Sequence, residues 1–144
     1  MKKLLNFLKQ VALYIWQLPQ NLLGLIFILC YKPTEYIELK NGNKVYFSKN
    51  MSGGISLGKY SIISRYYFTK YKSKKELYNS DIVKHEAIGH GTQSRILGPL
   101  YLLVIGLPSL IWAWLYGEVI PYTKNGYYKF YTEKWADTLA DIKR

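Results

Sequence analysis

The chain has 144 residues, 49% of them apolar and 20% charged, and its 20 Lys and Arg against 9 Asp and Glu give a formal net charge of +11. That length suits one domain spanning residues 1–144, and a single cysteine, Cys30, excludes an internal disulfide. The mean hydropathy of -0.10 conceals an uneven distribution: Gln10 to Tyr31 and Ile96 to Gly117 each run 22 residues without a charge, longer than the ~20 apolar residues that carry a helix across a bilayer, so the composition reads as a small membrane protein.

The first 16 residues, MKKLLNFLKQVALYIW, begin like a secretory signal, but no small-residue cleavage site succeeds them, so this segment is expected to be retained. Inside the first run, WQLPQN puts Gln17, Pro19, Gln20 and Asn21 where a straight spanning helix places leucines. Proline lacks the backbone donor and clashes with the preceding turn, so residues 1–31 are expected to form a broken hydrophobic hairpin that dips into the bilayer and returns. Lys2, Lys3, Lys9, Lys32 and Lys40 flank that run, and Lys70, Lys72, Lys74, Lys75 and Lys84 come later. Cations placed beside apolar runs favour an anionic lipid surface, and nucleic acid is not expected as a partner.

Residues 35–64 change to period two, with EYIEL, KVYFSK and ISLGKYSIIS separated by KNGN and NMSGG turns, which predicts a small antiparallel β-meander. Helix resumes over 79–97, where Asn79 or Ser80 can cap and Asp81 favours the first turn. The second run is broken at Gly106, Pro108 and Ser109, predicting another broken hydrophobic hairpin over 96–117, with Trp16, Trp112 and Trp114 at the interface. TKNG at 123–126 predicts a turn, and 127–144 a final helix. There Tyr128, Tyr131, Trp135, Leu139 and Ile142 recur at helical spacing, opposite Phe130, Glu133, Ala136, Asp137 and Ala140. A carboxylate pair framed by alanines marks a face that another helix can approach closely. The expected fold is α+β: membrane-associated helical hairpins, a small antiparallel β-meander and a pair of helices, 79–97 and 127–144.

The chemistry concentrates in KHEAIGHGTQS, which holds the chain's only two histidines, His85 and His90. A zincin helix reads H-E-x-x-H, so that two imidazoles one turn apart reach one ion; here the spacing is five. In a regular α-helix a spacing of four leaves side chains about 40° apart and a spacing of five about 140°. A single π-bulge makes i and i+5 neighbours again, and Gly89 and Gly91 would ease it. Another register needs no bulge: Glu86 and His90 are four apart and could join Glu133, but this would consume the carboxylate a hydrolase needs as general base.

Downstream, Glu133 and Asp137 lie in TEKWADTLA as E-x-x-x-D. The order resembles the gluzincin zinc peptidases, and the ExxAD form is similar to their integral-membrane branch, which includes the CAAX prenyl proteases and bacterial heat-shock membrane proteases. Over roughly residues 82–140 the chain also looks like a group of small bacterial membrane proteins reading H-E-x-G-H-x-x-Q-S, G-P-L-Y-L, G-L-P-S and T-E-K-W-A-D, from which it departs by one extra residue in the histidine motif. The resemblance implies zinc on His85, His90 and Glu133, Glu86 as the catalytic base, Asp137 orienting one imidazole, and a peptide or protein substrate. The oxyanion donor would then be Tyr127, Tyr128, Tyr131 or Arg95. Gln93 and Ser94 are expected to serve mainly in packing.

For one ion to reach both histidines and Glu133, the intervening run must re-enter and return, because a single crossing would separate them by ~30 Å. The polar parts then share one side, the cytoplasmic one by the positive-inside tendency. So small a chain leaves a homo-oligomer or larger partner open. Two other readings stand beside the hydrolase: a metal-free pseudoenzyme or structural membrane protein, and a basic lipid-surface or partner-binding module.

Overall fold

The computed structural model describes residues 1–118 and 124–144. Helix α1 (Lys2–Trp16) meets α2 (Leu18–Tyr31) at a bend of 82°. The bend falls at Gln17, with Pro19 in the first turn of α2, where its missing N–H removes no helical hydrogen bond. The polar residues of the first run serve a docking contact. Gln20 Nε2 donates to Ser94 Oγ (2.9 Å) and Gly98 O (2.8 Å), and Ser94 Oγ donates to Gln17 Oε1 (2.8 Å).

Strands β1 (Glu35–Glu38), β2 (Lys44–Ser48), β3 (Gly54–Leu57) and β4 (Tyr60–Ser64) form one sheet in the order β1-β2-β4-β3. It is mixed, because β2 and β4 pair in parallel, which corrects the antiparallel meander expected from the sequence. The reason lies in β4, where Ser61, Ile62 and Ile63 are consecutively buried. A strand covered on both faces belongs in the middle of a sheet. Gly58 at φ +66° turns β3 back against β4, so β3 becomes an edge. Ile37, Val45, Phe47 and Ile63 on one face pack with Leu77, Val83 and Ala87.

Short helices α3 (Arg65–Lys70) and α4 (Lys74–Tyr78) lead to α5 (Asp81–Leu100). Ser80 is its N-cap, although the Ser80 hydroxyl donates to Leu77 O instead of capping. Helix α6 (Leu102–Glu118) leaves α5 at a bend of 119°. The break therefore falls at Tyr101, not at Gly106, Pro108 and Ser109 as the sequence suggested. A π-helical stretch, Leu102–Gly106, precedes Pro108, and its altered hydrogen-bond register accommodates a residue without a donor. The turn is made upstream by Gly98 at φ +52°, where an added Cβ would collide with the Trp16 ring.

Thr123 of the expected 123–126 turn lies outside the described residues, and the rest of that stretch belongs to a short helix, α7 (Lys124–Tyr127). The expected final helix over 127–144 is shorter, α8 (Tyr131–Leu139), with Tyr128 to Phe130 forming its approach. Its buried face is the one with Thr132, Glu133, Ala136 and Asp137, while Tyr131 on the aromatic stripe is half exposed. No single helix among the described residues is long and apolar enough to cross a membrane; the α1–α2 and α5–α6 pairs pass that test only as bent pairs.

Candidate metal centre

Residues Lys84–His90 form a π-helical stretch within α5, in which the Gly91 N–H donates to Glu86 O, five residues back. The wide turn absorbs the extra residue. His85 and His90 consequently lie side by side, with ring centroids 4.8 Å apart and planes at 86°. Gly89 faces α8, where an added Cβ would sit 2.5 Å from Ala136 O and 2.9 Å from Ala136 Cβ. Gly91 abuts the Asn43 amide, which such a Cβ would strike. Both glycines are thus explained by close approach, and Ala136 is the alanine that permits it.

This approach brings Glu133 to the histidines. His85 Nε2 lies 3.0 Å and His90 Nε2 3.6 Å from Glu133 Oε2. All three side chains are buried, and their potential ligand atoms lie within 4.8 Å of one another. Ligand atoms of a tetrahedral zinc, each ~2.0–2.1 Å from the ion, stand roughly 3.3 Å apart, so the separations bracket what such an ion requires. The group can hold a metal ion.

Each ligand is also aimed. Asp137 Oδ1 accepts from His85 Nδ1 at 2.7 Å, and Gln93 Oε1 accepts from His90 Nδ1 at 2.7 Å. Fixing the Nδ1 protons leaves each Nε2 for the ion. Ser109 Oγ donates to Glu133 Oε1 at 2.7 Å and Thr132 Oγ1 does so at 3.1 Å, leaving Oε2 toward the histidines. Arg144 Nε donates to Asp137 Oδ2 at 2.7 Å, and its guanidinium lies 3.6 Å from the centre of the Tyr128 ring.

Glu86 stands apart from the ligand group. Ser56 Oγ on β3 donates to its Oε2 at 2.6 Å, and a Cβ on Gly54 would collide with its Oε1. The group that converges contains His85 and not Glu86, unlike the alternative register in which Glu86 replaces His85 as a ligand. Glu86, His90 and Glu133 line a cavity of about 530 Å³ bounded by α2, β3, α6 and α7. Of the four oxyanion candidates, Tyr127 lines this cavity and Tyr128 packs edge-on to His85. Arg95 donates to Asn41 O and Asn43 Oδ1, and the Tyr131 hydroxyl donates to Val104 O, so both are turned elsewhere. Gln93 is more than a packing residue, whereas Ser94 holds Gln17 and Gln20 of the first run. Ser56, Thr132 and Arg144 were not singled out by sequence, and Ser109 was marked there only as part of a helix break. No spacing rule links them to the histidines, because they come from different elements.

Charge is concentrated here. Burial alone would depress His85, but its hydrogen bonds to Asp137 and Glu133, with the nearby Glu86 charge, outweigh this and raise it from 6.5 to about 9. For Glu133, burial pulls upward and the hydrogen bonds from His85 and His90 prevail, holding the carboxyl well below its usual range. Asp137 is likewise held low, against burial, by His85 and Arg144. In the metal-free fold, His85 contacts stabilise fully below the unfolded value of 6.5 and lose that contribution as pH climbs through about 9. A metal must displace this proton. Zinc affinity should accordingly rise ~tenfold per pH unit from 7 to 9 and level off above, as read by competition with a chromophoric chelator. An unperturbed histidine would give a profile nearly level above about pH 7.5, and a level profile from there to 9 would contradict the assignment of His85.

Comparison with protein-family models, with curated proteins and with solved structures gives no match.

Proposed function

We propose that this chain is a membrane-associated zinc metallopeptidase, with His85, His90 and Glu133 as metal ligands and Glu86 as general base. One observation carries the reading: two Nε2 atoms and one carboxylate oxygen converge, and two of these three side chains, His90 and Glu133, line a cavity that also holds a separate carboxylate, Glu86. A His₂Glu donor set with an open fourth side is a catalytic zinc arrangement, whereas structural sites are closed by four protein ligands. Bound there, zinc would polarise the scissile carbonyl and lower the pKa of a water beside it to ~7.

The residues of the chain do the rest. Glu86 takes the proton from the water and delivers it to the leaving amine. Ser56, donating to Glu86 Oε2 at 2.6 Å, keeps that carboxylate in one orientation. Asp137 and Gln93 hold the imidazole tautomers. Tyr127, at the cavity wall, donates to the oxyanion that develops on the carbonyl. Removal of such a donor typically costs ~10²–10³ in kcat. Tyr127→Phe should show that loss in a peptide-cleavage assay with zinc content unchanged; full activity would remove Tyr127 from the mechanism.

Membrane association is supported by the two bent apolar pairs and by their uncovered side chains. On α1 Leu4, Phe7, Leu8 and Ile15 are exposed on one face, and on α6 Leu103, Leu110 and Trp114 are exposed. Such a helix with lysines on its other face lies in the plane of the bilayer surface. The lysines flanking the apolar runs support a cytoplasmic side for the polar parts. Metal analysis of the purified protein tests the centre itself: about one zinc per chain is expected, lost in Glu133→Ala. Zinc that is substoichiometric and indifferent to Glu133→Ala would favour the metal-free scaffold instead.

A further inference from the structure

The cavity at the metal centre has a polar inner end and an apolar outer one. Leu23 and Phe27 of α2, Ile55 of β3, and Leu107, Leu110 and Ala113 of α6 line its wall. Leu107 and Leu110 remain 51% and 57% exposed, so the mouth is rimmed by uncovered apolar side chains. The flanking surface continues this character through Leu22, Ile26, Ile111 and Trp114. Water-soluble polar chains gain nothing from such a path, whereas each buried leucine-sized side chain gains several-fold in affinity or more.

The floor of the cavity adds a feature that a simple acyl chain would not use. Strand β3 is a sheet edge. Residues Ile55 and Leu57 face Ile62 and Tyr60 of β4, and Ser64 N–H donates to Gly53 O. Antiparallel alternation then turns the N–H and C=O of Gly54 and Ser56 away from β4. The Tyr101 hydroxyl takes Ser56 O at 2.8 Å. Gly54, which lines the cavity beside Glu86, presents its backbone groups to whatever occupies it. An edge of this kind recognises extended polypeptide through main-chain hydrogen bonds.

We propose that the cleft between α2 and α6 binds an extended, apolar peptide segment, entering over the Leu107–Leu110 rim and lying against Gly54 with its backbone beside Glu86. The cleavage of that segment rests on the peptidase reading; its binding does not. Volume fits the assignment, since about 530 Å³ lies in the range of pockets that enclose a ligand of several side chains. Leu107, Leu110 and Ala113 are the specificity determinants, because they set the polarity and width of the mouth.

The test uses the zinc-loaded Glu86→Gln full chain in phosphatidylcholine nanodiscs, with two decapeptides that each carry one benzoylphenylalanine, one rich in leucine and the other with every leucine replaced by serine. After irradiation, labelled residues are mapped by mass spectrometry. The leucine peptide should label α2, β3 and α6 residues of the cleft ~10-fold or more above the serine peptide. Ala113→Trp, which narrows the mouth, and Leu110→Gln, a change at an exposed position, should each reduce that labelling several-fold. Equal labelling by the two peptides overturns the inference. So does label confined to the outer faces of α1 and α6 and indifferent to both variants, or a cleft so filled by phospholipid acyl chains that no peptide reaches it. Cleft labelling together with a wild-type chain that cleaves nothing would remove the peptidase reading alone. Zinc-dependent cleavage of both peptides at equal rates would remove this inference alone.

Discussion

Glu86→Gln is expected to leave one zinc per chain and to reduce peptide hydrolysis by at least the ~10²–10⁴-fold that a general base supplies. The two outcomes separate because Glu86 is not among the side chains that converge: the ligand group is His85, His90 and Glu133. The exchange is nearly isosteric, and the amide oxygen can still accept from Ser56 Oγ, which now lies 2.6 Å from Glu86 Oε2. Folding and the π-helical turn should therefore survive, as a thermal unfolding scan will check. What the amide cannot do is take a proton from water at neutral pH. The companion change Glu133→Gln acts on the opposite quantity, weakening zinc by removing the anionic ligand. Zinc content is read by plasma mass spectrometry and activity by the release of new peptide amines. Hydrolysis at wild-type rates in Glu86→Gln would remove the mechanism, and zinc lost together with activity would return Glu86 to the ligand set.

Parts of this arrangement were legible in the sequence for physical reasons that can be named. A spacing of five between two histidines with a glycine before the second permits a shared face only through a widened turn, and the widened turn is there. Ala136 and Ala140 beside Glu133 and Asp137 marked the face of α8 that packs closely, since small side chains are what such an approach needs. The order of the strands was not legible. Period two tells which face a residue occupies and says nothing of which strand lies next to which; only the consecutive burial of Ser61, Ile62 and Ile63 reveals that β4 is central.

The polar residues of the first run mark a break, and the break is real, but their partners Ser94 and Gly98 lie more than 70 residues away, beyond any local pattern. The same holds for Ser109. In the sequence it belongs to an apolar run, yet its hydroxyl holds the unused oxygen of Glu133. Through that contact helix α6 touches the candidate metal centre directly. The Leu-Pro-Ser stretch thus positions the Glu133 carboxylate; it does not make the turn, which Gly98 and Tyr101 provide.

Deleting Ile88 should leave the protein folded and its zinc affinity within ~tenfold of wild type, whereas deleting Thr92, only four residues on, should abolish both. A π-bulge is an α-helix carrying one inserted residue, and removing a residue from inside it restores the regular helix without turning the segment beyond. Residues 81–86 would keep their contacts, including His85 with Asp137. His90 would then stand four positions after His85, leaving the imidazoles about 40° apart and still able to share an ion. Ile88 is only partly buried and its loss takes nothing from the core cluster. Thr92 sits instead in the regular segment Gly91–Leu97. Its removal rotates everything downstream by about 100°, swinging Gln93 off His90 and Ser94 off Gln17 and Gln20. Buried polar groups left without partners cost ~1–3 kcal/mol each, enough in sum to unfold a domain of marginal stability. Thermal unfolding and zinc competition on the two deletions decide the matter. A folded Ile88 deletion that no longer binds zinc would mean that the wide turn sets the angle between the rings as well as their nearness, and that a four-residue spacing cannot substitute for it in this fold.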